Sequence, residues 1–364
     1  MDNSTTNSTS YEFSDYTQRA IVATLFLIVS LVGIIGNSLV IIAVLLSKVL
    51  QTTTIAFIVN MSTAHLMCSL VLPWDVVALL STGDLPRGDR EWLCSVTTVV
   101  VSITIGCGIY TLASLALNHL LLIARPTTTY LKIFTPKKIA VWLMVTWLIP
   151  IFVILLPPLI NLGEVGFNDK FHLCGTKSSD QAKFIIYNFI RVFGLYPIPL
   201  LCIIVCYALI WAHLRRHIGE TVSSVGDDTP TNKGIPMEEN LGAGIDSARS
   251  SSASLDTISP THMINKTMPF VVGGFIVLLL PYAVCLFISS FEPAVPYATT
   301  ILFSSCCVNP IFYGIRHRDF KNVFGCILRR RWNDIPQPSP FLKATRRIQC
   351  CSKRSVVHAD EHVT

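Results

Sequence analysis

The chain has 364 residues, of which 51% are hydrophobic and only 14% are charged. Soluble domains carry about 25% charged residues, so the composition excludes an ordinary water-soluble globule and makes lipid part of the solvent. The formal net charge of +6 does not imply nucleic acid as a partner, because Lys and Arg cluster in particular connections rather than along one face.

Residues 1–19 read as a short polar arm, in which Asn3-Ser-Thr and Asn7-Ser-Thr are N-glycosylation acceptors. Met1–Asp15 lacks the basic-then-apolar order of a cleaved leader, so the first apolar run is expected to act as its own insertion signal. Seven apolar segments follow, near 20–47, 55–81, 92–124, 138–160, 184–212, 267–290 and 296–315. Each has the roughly 20 residues that a membrane-spanning helix needs. The expected fold is therefore an all-α membrane protein, a seven-helix bundle over 20–316. With the amino end outside, 21 of the 28 Lys and Arg residues fall on the inner side, as the positive-inside rule requires. Asn60-Met-Ser and Asn265-Lys-Thr match the glycosylation pattern but lie in or below the membrane, where they should be silent.

Only Cys94 and Cys174 of the twelve cysteines lie at the outer side. An oxidising outer face favours a disulfide between them, which would pin the loop before segment five over the bundle mouth. The third inner loop, about 218–263, is rich in Ser, Thr, Gly, Asp and Pro and is expected to be disordered. It is either a plain linker or a phosphorylatable regulatory loop. In RHRDFKNVFGCILRRRW, Phe320, Val323, Phe324 and Ile327 recur at i, i+3, i+4 and i+7. That spacing predicts an amphipathic eighth helix over 317–331 lying on the inner leaflet. Cys326 in it, and Cys350-Cys351 beyond it, are candidates for palmitoylation or remain free thiols. Residues 332–364 are expected to form a cytoplasmic tail.

The segments carry an ordered set of landmarks: Gly36-Asn37 in GNSLV, Trp147 with Pro157, Pro199 with Tyr207, Phe275 and Pro281 in FIVLLLP, and Asn309-Pro310 through Tyr313 in NPIFY. With the Cys94/Cys174 pair, this order resembles the rhodopsin-like G-protein-coupled receptors over about residues 20–330. TTTIAFIVNMSTAHLMCSLVLP, NHLLLIARP and TYLKIFT are further similar to the Moody and Trapped-in-endoderm receptors and to the medium-chain fatty acid receptor, a group in which Asn commonly stands at the position of Asn118. The resemblance implies a plasma-membrane receptor rather than an enzyme, with no cofactor. Its expected partners are an extracellular ligand, a heterotrimeric G protein, arrestin, a receptor kinase and membrane lipid.

Three switch positions depart from the family. His119 stands where Arg is usual, His65 where a sodium-binding Asp is usual, and Leu279 where Trp is usual. An imidazole is shorter than a guanidinium and offers no planar fork, and His65 supplies no anionic oxygen, so a sodium site is not expected. Two readings follow: a receptor that signals with altered control, or a scavenger or arrestin-biased receptor without ordinary coupling. NPIFY, Tyr207 and the basic inner surface support the first.

For the ligand pocket, the resemblance places Asp75, beside Trp74, and Arg191 at the border of the cavity. Arg191 suits a carboxylate or phosphate through its planar fork. It could equally pair with Asp75 or snorkel to the outer interface. Val101 occupies the position where amine receptors carry Asp, which argues against a monoamine. Trp74, Tyr110, Tyr196 and Phe303 offer aromatic surface to a ligand, though core packing is the commoner use of such rings. Phe303 also stands where opsins carry the retinal-linking Lys, and segment seven has no Lys at all, which excludes a Schiff-base photoreceptor. A seven-helix metallohydrolase would need a cluster of His at membrane depth, a transporter two matching halves, and a channel a polar pore lining. None of these patterns is present.

Overall fold

The computed structural model describes residues 12–81, 87–177, 180–225, 273–274, 277–285 and 288–345. Asn3, Asn7, Phe275 and most of the expected 218–263 loop lie outside the described residues. The helices run in chain order: α1 (Tyr16–Leu46), α2 (Thr53–Leu80), α3 (Arg87–Ala124), α4 (Thr127–Ile133), α5 (Pro136–Leu159), α6 (Gln181–Leu195), α7 (Pro197–Val225), α8 (277–285), α9 (Val295–Arg316) and α10 (Arg318–Leu328). Between α5 and α6, β1 (Glu164–Asn168) and β2 (Leu173–Lys177) form an antiparallel hairpin, a small strand element that the all-helical expectation lacked. Among the described residues, six stretches are long and apolar enough to cross a membrane, α6 and α7 counting as one. With α8, part of the sixth segment, they make a seven-helix bundle.

The side chains are distributed as in a lipid-embedded body. On α1, Ile28, Leu31 and Ile35 are 52%, 53% and 67% exposed, while Asn37 is fully buried. The surface is apolar and the interior holds His65, Asp75, Asn118 and Asn309, the inverse of a soluble domain. Lipid cannot hydrogen-bond, so each of these groups needs a partner inside the bundle.

Prolines show how this is met. A helical proline leaves the carbonyl four residues earlier without its N–H donor. Pro73 frees the carbonyl of Ser69, and the Ser30 hydroxyl donates to it at 2.7 Å. Pro158 frees that of Ile154, and the Tyr187 hydroxyl donates to it at 3.1 Å. Pro310 frees that of Cys306, and Asn37 Nδ2 donates to it at 2.9 Å. Gly36 makes the last bond possible: a Cβ there would stand 2.8 Å from Pro310 Cβ.

Several expected boundaries move. Helix α1 begins at Tyr16 rather than 20, because Asp15 accepts from the amide of Thr17 at 2.8 Å and caps it. Segment five is not one helix. Pro197 and Pro199 cannot donate to the carbonyls of Phe193 and Leu195, and the regular helix is interrupted at the single residue Tyr196 (φ −106°, ψ −54°). Helix α7 continues to Val225, past the expected loop start at 218. Helix α10 ends at Leu328, short of 331. Part of the expected tail is folded: residues 332–345 return to the end of α1, where Ile335 and Leu342 are buried with Leu46.

Candidate functional site

At the hairpin end, the disulfide Cys94–Cys174 joins α3 to β2. Asp75, 3% exposed, accepts the amide of Cys174 at 3.1 Å on its Oδ1, so a buried carboxylate and a covalent bond hold the same strand. The Ser95 hydroxyl donates to the carbonyl of Val165 at 2.8 Å, and Lys177 pairs with Glu91. The hairpin is thereby fastened over the bundle mouth from both strands. The N-terminal arm closes from the other side, with the Phe13 amide donating to Lys170 O at 2.8 Å. Arg19 Nη1 donates to His172 Nδ1 at 2.9 Å, and Glu12 lies 3.4 Å from the other ring nitrogen. Burial and the neighbouring Arg19 charge lower the His172 pKa.

Beneath this cover lies a cavity of about 170 Å³, lined among others by Asp75, Val101, Arg191, Tyr196, Tyr282 and Phe303. Phe303 is held edge-on to Phe26, with ring centroids 5.1 Å apart. Arg191 is only 8% exposed. Its Nη2 donates to the Tyr282 hydroxyl at 3.3 Å, and Tyr282 is its sole hydrogen-bond partner among the described residues. No ion pair joins Arg191 to Asp75, so the Asp75-pairing alternative does not describe this arrangement. Nor does Arg191 snorkel, since it points into the cavity.

Trp74 is a correction. It is 45% exposed and does not line the cavity. Along an all-apolar helix, the neighbouring Asp75 takes the inward direction, and Trp74, about 100° away around the axis, faces outward. Tyr282, the partner of Arg191, was missed by sequence reasoning. Its place directly after Pro281 in a span with few polar groups was the available signal.

The remaining switch residues lie toward the α10 end. Asn118 Nδ2 donates to Thr54 Oγ1 at 3.0 Å and its Oδ1 accepts from the Tyr130 hydroxyl at 2.9 Å. Asn118 thus ties α2, α3 and α4 together. His119 beside it is 2% exposed, and its Nε2 has no hydrogen-bond partner among the described residues. Asn309 Nδ2 donates to His65 Nδ1 at 3.3 Å, which assigns the ring proton of a neutral His65 to Nε2. A Cβ on Gly108 would stand 3.0 Å from His65 Nε2, so the glycine makes room for the ring. Leu279 and Tyr313 are buried, Tyr207 is half-buried, and Tyr313 stacks on Phe320 with centroids 5.4 Å apart. Pro281 and Pro310 lie within α8 and α9. Cys326 is half-buried and packs with Ile335 and Leu342.

A second network, also missed, centres on Asn60. It donates to Thr111 at 2.8 Å and Thr146 at 3.1 Å, and accepts from the indole of Trp147 at 2.9 Å. The asparagine that matched a glycosylation pattern is a structural crosslink of α2, α3 and α5.

The profile of the family "7 transmembrane receptor (rhodopsin family)" matches residues 36–313. The alpha-1A adrenergic receptor of Bos taurus is 25% identical over 317 residues, covering 82% of this chain and 66% of that receptor. The chain thus spans just under two thirds of that relative's length. The cysteinyl leukotriene receptor 1 of Mus musculus is 22% identical over 322 residues, covering 86% of this chain and 83% of the relative. The crystal structure of squid rhodopsin superposes with a TM-score of 0.66 at 18% identity, covering 91% of each chain.

Proposed function

We propose, from the premise that this chain belongs to the rhodopsin family of seven-transmembrane receptors, that it is a plasma-membrane receptor for a small anionic or lipid-like ligand and signals to a heterotrimeric G protein. The amino end and its Asn3 and Asn7 glycans face outward in this reading. Arrestin and a receptor kinase act on the inner surface, and Cys326 carries the lipid modification.

One observation carries the ligand class. Arg191 is a buried guanidinium in a cavity wall with a hydroxyl, and no carboxylate, as its hydrogen-bond partner among the described residues. Charges at membrane depth are costly and mark sites or pathways. A carboxylate or phosphate group satisfies this one bidentately. The cavity of about 170 Å³ is small beside the roughly 300–1,000 Å³ of drug-sized sites, which suits a compact head group. The motifs around Asn118 that resemble the medium-chain fatty acid receptor agree with such a ligand. An arriving anion exchanges the Arg191–Tyr282 bond for its own. Tyr282 follows Pro281, so that exchange acts next to the proline of α8. The inner ends of α3, α7 and the sixth segment then part to admit the G protein.

A second reading rests on His119. It is buried, and at that inner end it offers no guanidinium fork, which favours an arrestin-biased or scavenger receptor. A screen of carboxylates, phosphates and neutral amphiphiles against the wild type and Arg191→Gln, with separate nucleotide-exchange and arrestin readouts, tests both. Anionic agonists that require Arg191 and drive nucleotide exchange support the proposal. Arrestin recruitment alone supports the second reading, and agonists indifferent to Arg191→Gln overturn the anion site.

A further inference from the structure

The segment 332–345 is a clasp. The Ser339 amide donates to Leu46 O at 2.9 Å and the Lys48 amide donates to Gln337 O at 2.9 Å. The Ser47 hydroxyl donates to Pro336 O at 2.6 Å, and Ser47 and Pro338 form an isolated antiparallel bridge. Ile335 and Leu342, 3% and 5% exposed, are its apolar anchors against Leu46. Ser339 is the pivot. Its hydroxyl donates to Leu45 O at 2.6 Å, accepts the Leu342 amide at 3.2 Å, and is 1% exposed. The clasp also covers one side of Cys326, whose Sγ lies 3.6 Å from Asp334 O.

The residue after Ser339 is Pro340. We infer that Ser339 is a phosphorylation site for a proline-directed serine kinase, and that its phosphate releases the clasp from the inner end of α1 and uncovers Cys326. In the transfer, Ser339 Oγ forms a bond to the γ-phosphorus of ATP and the bond to the bridging β–γ oxygen breaks. ADP leaves, and the hydroxyl proton passes to the kinase's carboxylate base. The product has lost the proton that Ser339 gave to Leu45 O. It carries about −1.5 to −2 charge against the Leu45 carbonyl oxygen, with the Leu342 amide as the one donor to the Ser339 oxygen among the described residues. One amide does not offset a buried, doubly charged group pressed against a carbonyl lone pair, so the phosphorylated segment does not redock. The kinase must catch Ser339 while the segment is undocked. Two apolar anchors hold it, so such local openings lie well below global unfolding in free energy.

The test uses the full chain in lipid nanodiscs, a purified cyclin-dependent kinase with ATP, site mapping by mass spectrometry, and hydrogen exchange. The expected result is phosphate on Ser339 and amides of Lys48 and Ser339 that exchange at least about tenfold faster in the modified protein, as loss of their acceptors requires. In protein whose Cys326 thioester has been cleaved by hydroxylamine, the free Cys326 thiol should then alkylate faster. Leu342→Ala, which removes the apolar anchor and keeps the backbone amide that bonds the Ser339 hydroxyl, should speed phosphorylation by about tenfold or more, with the thermal transition of the bundle unchanged. Slow exchange retained in the phosphorylated protein overturns the inference. So does a phosphorylation rate that Leu342→Ala leaves unchanged, or the absence of phosphate at Ser339 in that variant.

Discussion

Replacing Asn37 by Ala removes the donor that satisfies the Cys306 carbonyl. That carbonyl lacks its helical partner because residue 310 is proline, and the Asn37 amide reaches it at 2.9 Å. The second bond, to Gly33 O at 2.8 Å, lies within α1, where that carbonyl keeps its ordinary amide donor. The loss is therefore concentrated in one interhelical bond. Such bonds in membrane proteins average about 0.6 kcal/mol and reach about 1.7, while a buried acceptor left without a donor costs about 1–3 kcal/mol. Asn37 is fully buried, so the expectation is about 1.5–2.5 kcal/mol. Pro310→Ala returns an N–H to the same carbonyl, so Asn37→Ala in that background should cost less than about 0.5 kcal/mol. A double-mutant cycle on purified receptor, read by reversible unfolding in mixed micelles, measures the coupling. Equal costs of Asn37→Ala in both backgrounds would refute the proline–carbonyl reasoning, which also underlies Ser30 with Pro73 and Tyr187 with Pro158.

Three further outcomes are expected. Gly36→Val should destabilise the bundle by about 1–3 kcal/mol through overpacking, because even its Cβ would press on Pro310; the same unfolding assay reads it. The folded-state pKa of His172 is lowered, so the neutral ring's contribution is complete above its unfolded value of about 6.5 and is lost as pH falls through the lower folded value. Thermal stability of the wild type should fall on acidification from about pH 6.5 down to the lower folded value, and His172→Gln should flatten the profile. His119→Arg should raise basal nucleotide exchange if the missing guanidinium limits coupling. Unchanged basal and stimulated exchange would show that His119 does not control it.

The spans were legible because a bilayer demands an unbroken apolar stretch, and runs such as Ile28–Leu46 offer no other reading. The Cys94–Cys174 bond was legible from which side each cysteine occupies. Other features hid for physical reasons. In a helix apolar on all sides, sequence does not say which face meets lipid, so Trp74 was placed inward. The interruption at Tyr196 was masked because both flanking runs are equally apolar. The clasp carries Ile335 and Leu342 in a proline-rich stretch without helical period. Arg191 and Asp75 stood out as charges in apolar surroundings, but sequence does not say that one takes a tyrosine and the other a backbone amide.

The most direct measurement is equilibrium binding of decanoate and of its neutral counterpart decanol to the full chain in nanodiscs, for wild type and Arg191→Gln. The account predicts that the carboxylate binds and the alcohol does so far more weakly. It also predicts that Arg191→Gln lowers carboxylate affinity by about 10- to 150-fold, the worth of a charge-assisted hydrogen bond of about 1.5–3 kcal/mol. Equal binding of acid and alcohol, or carboxylate affinity unchanged in Arg191→Gln, would contradict it.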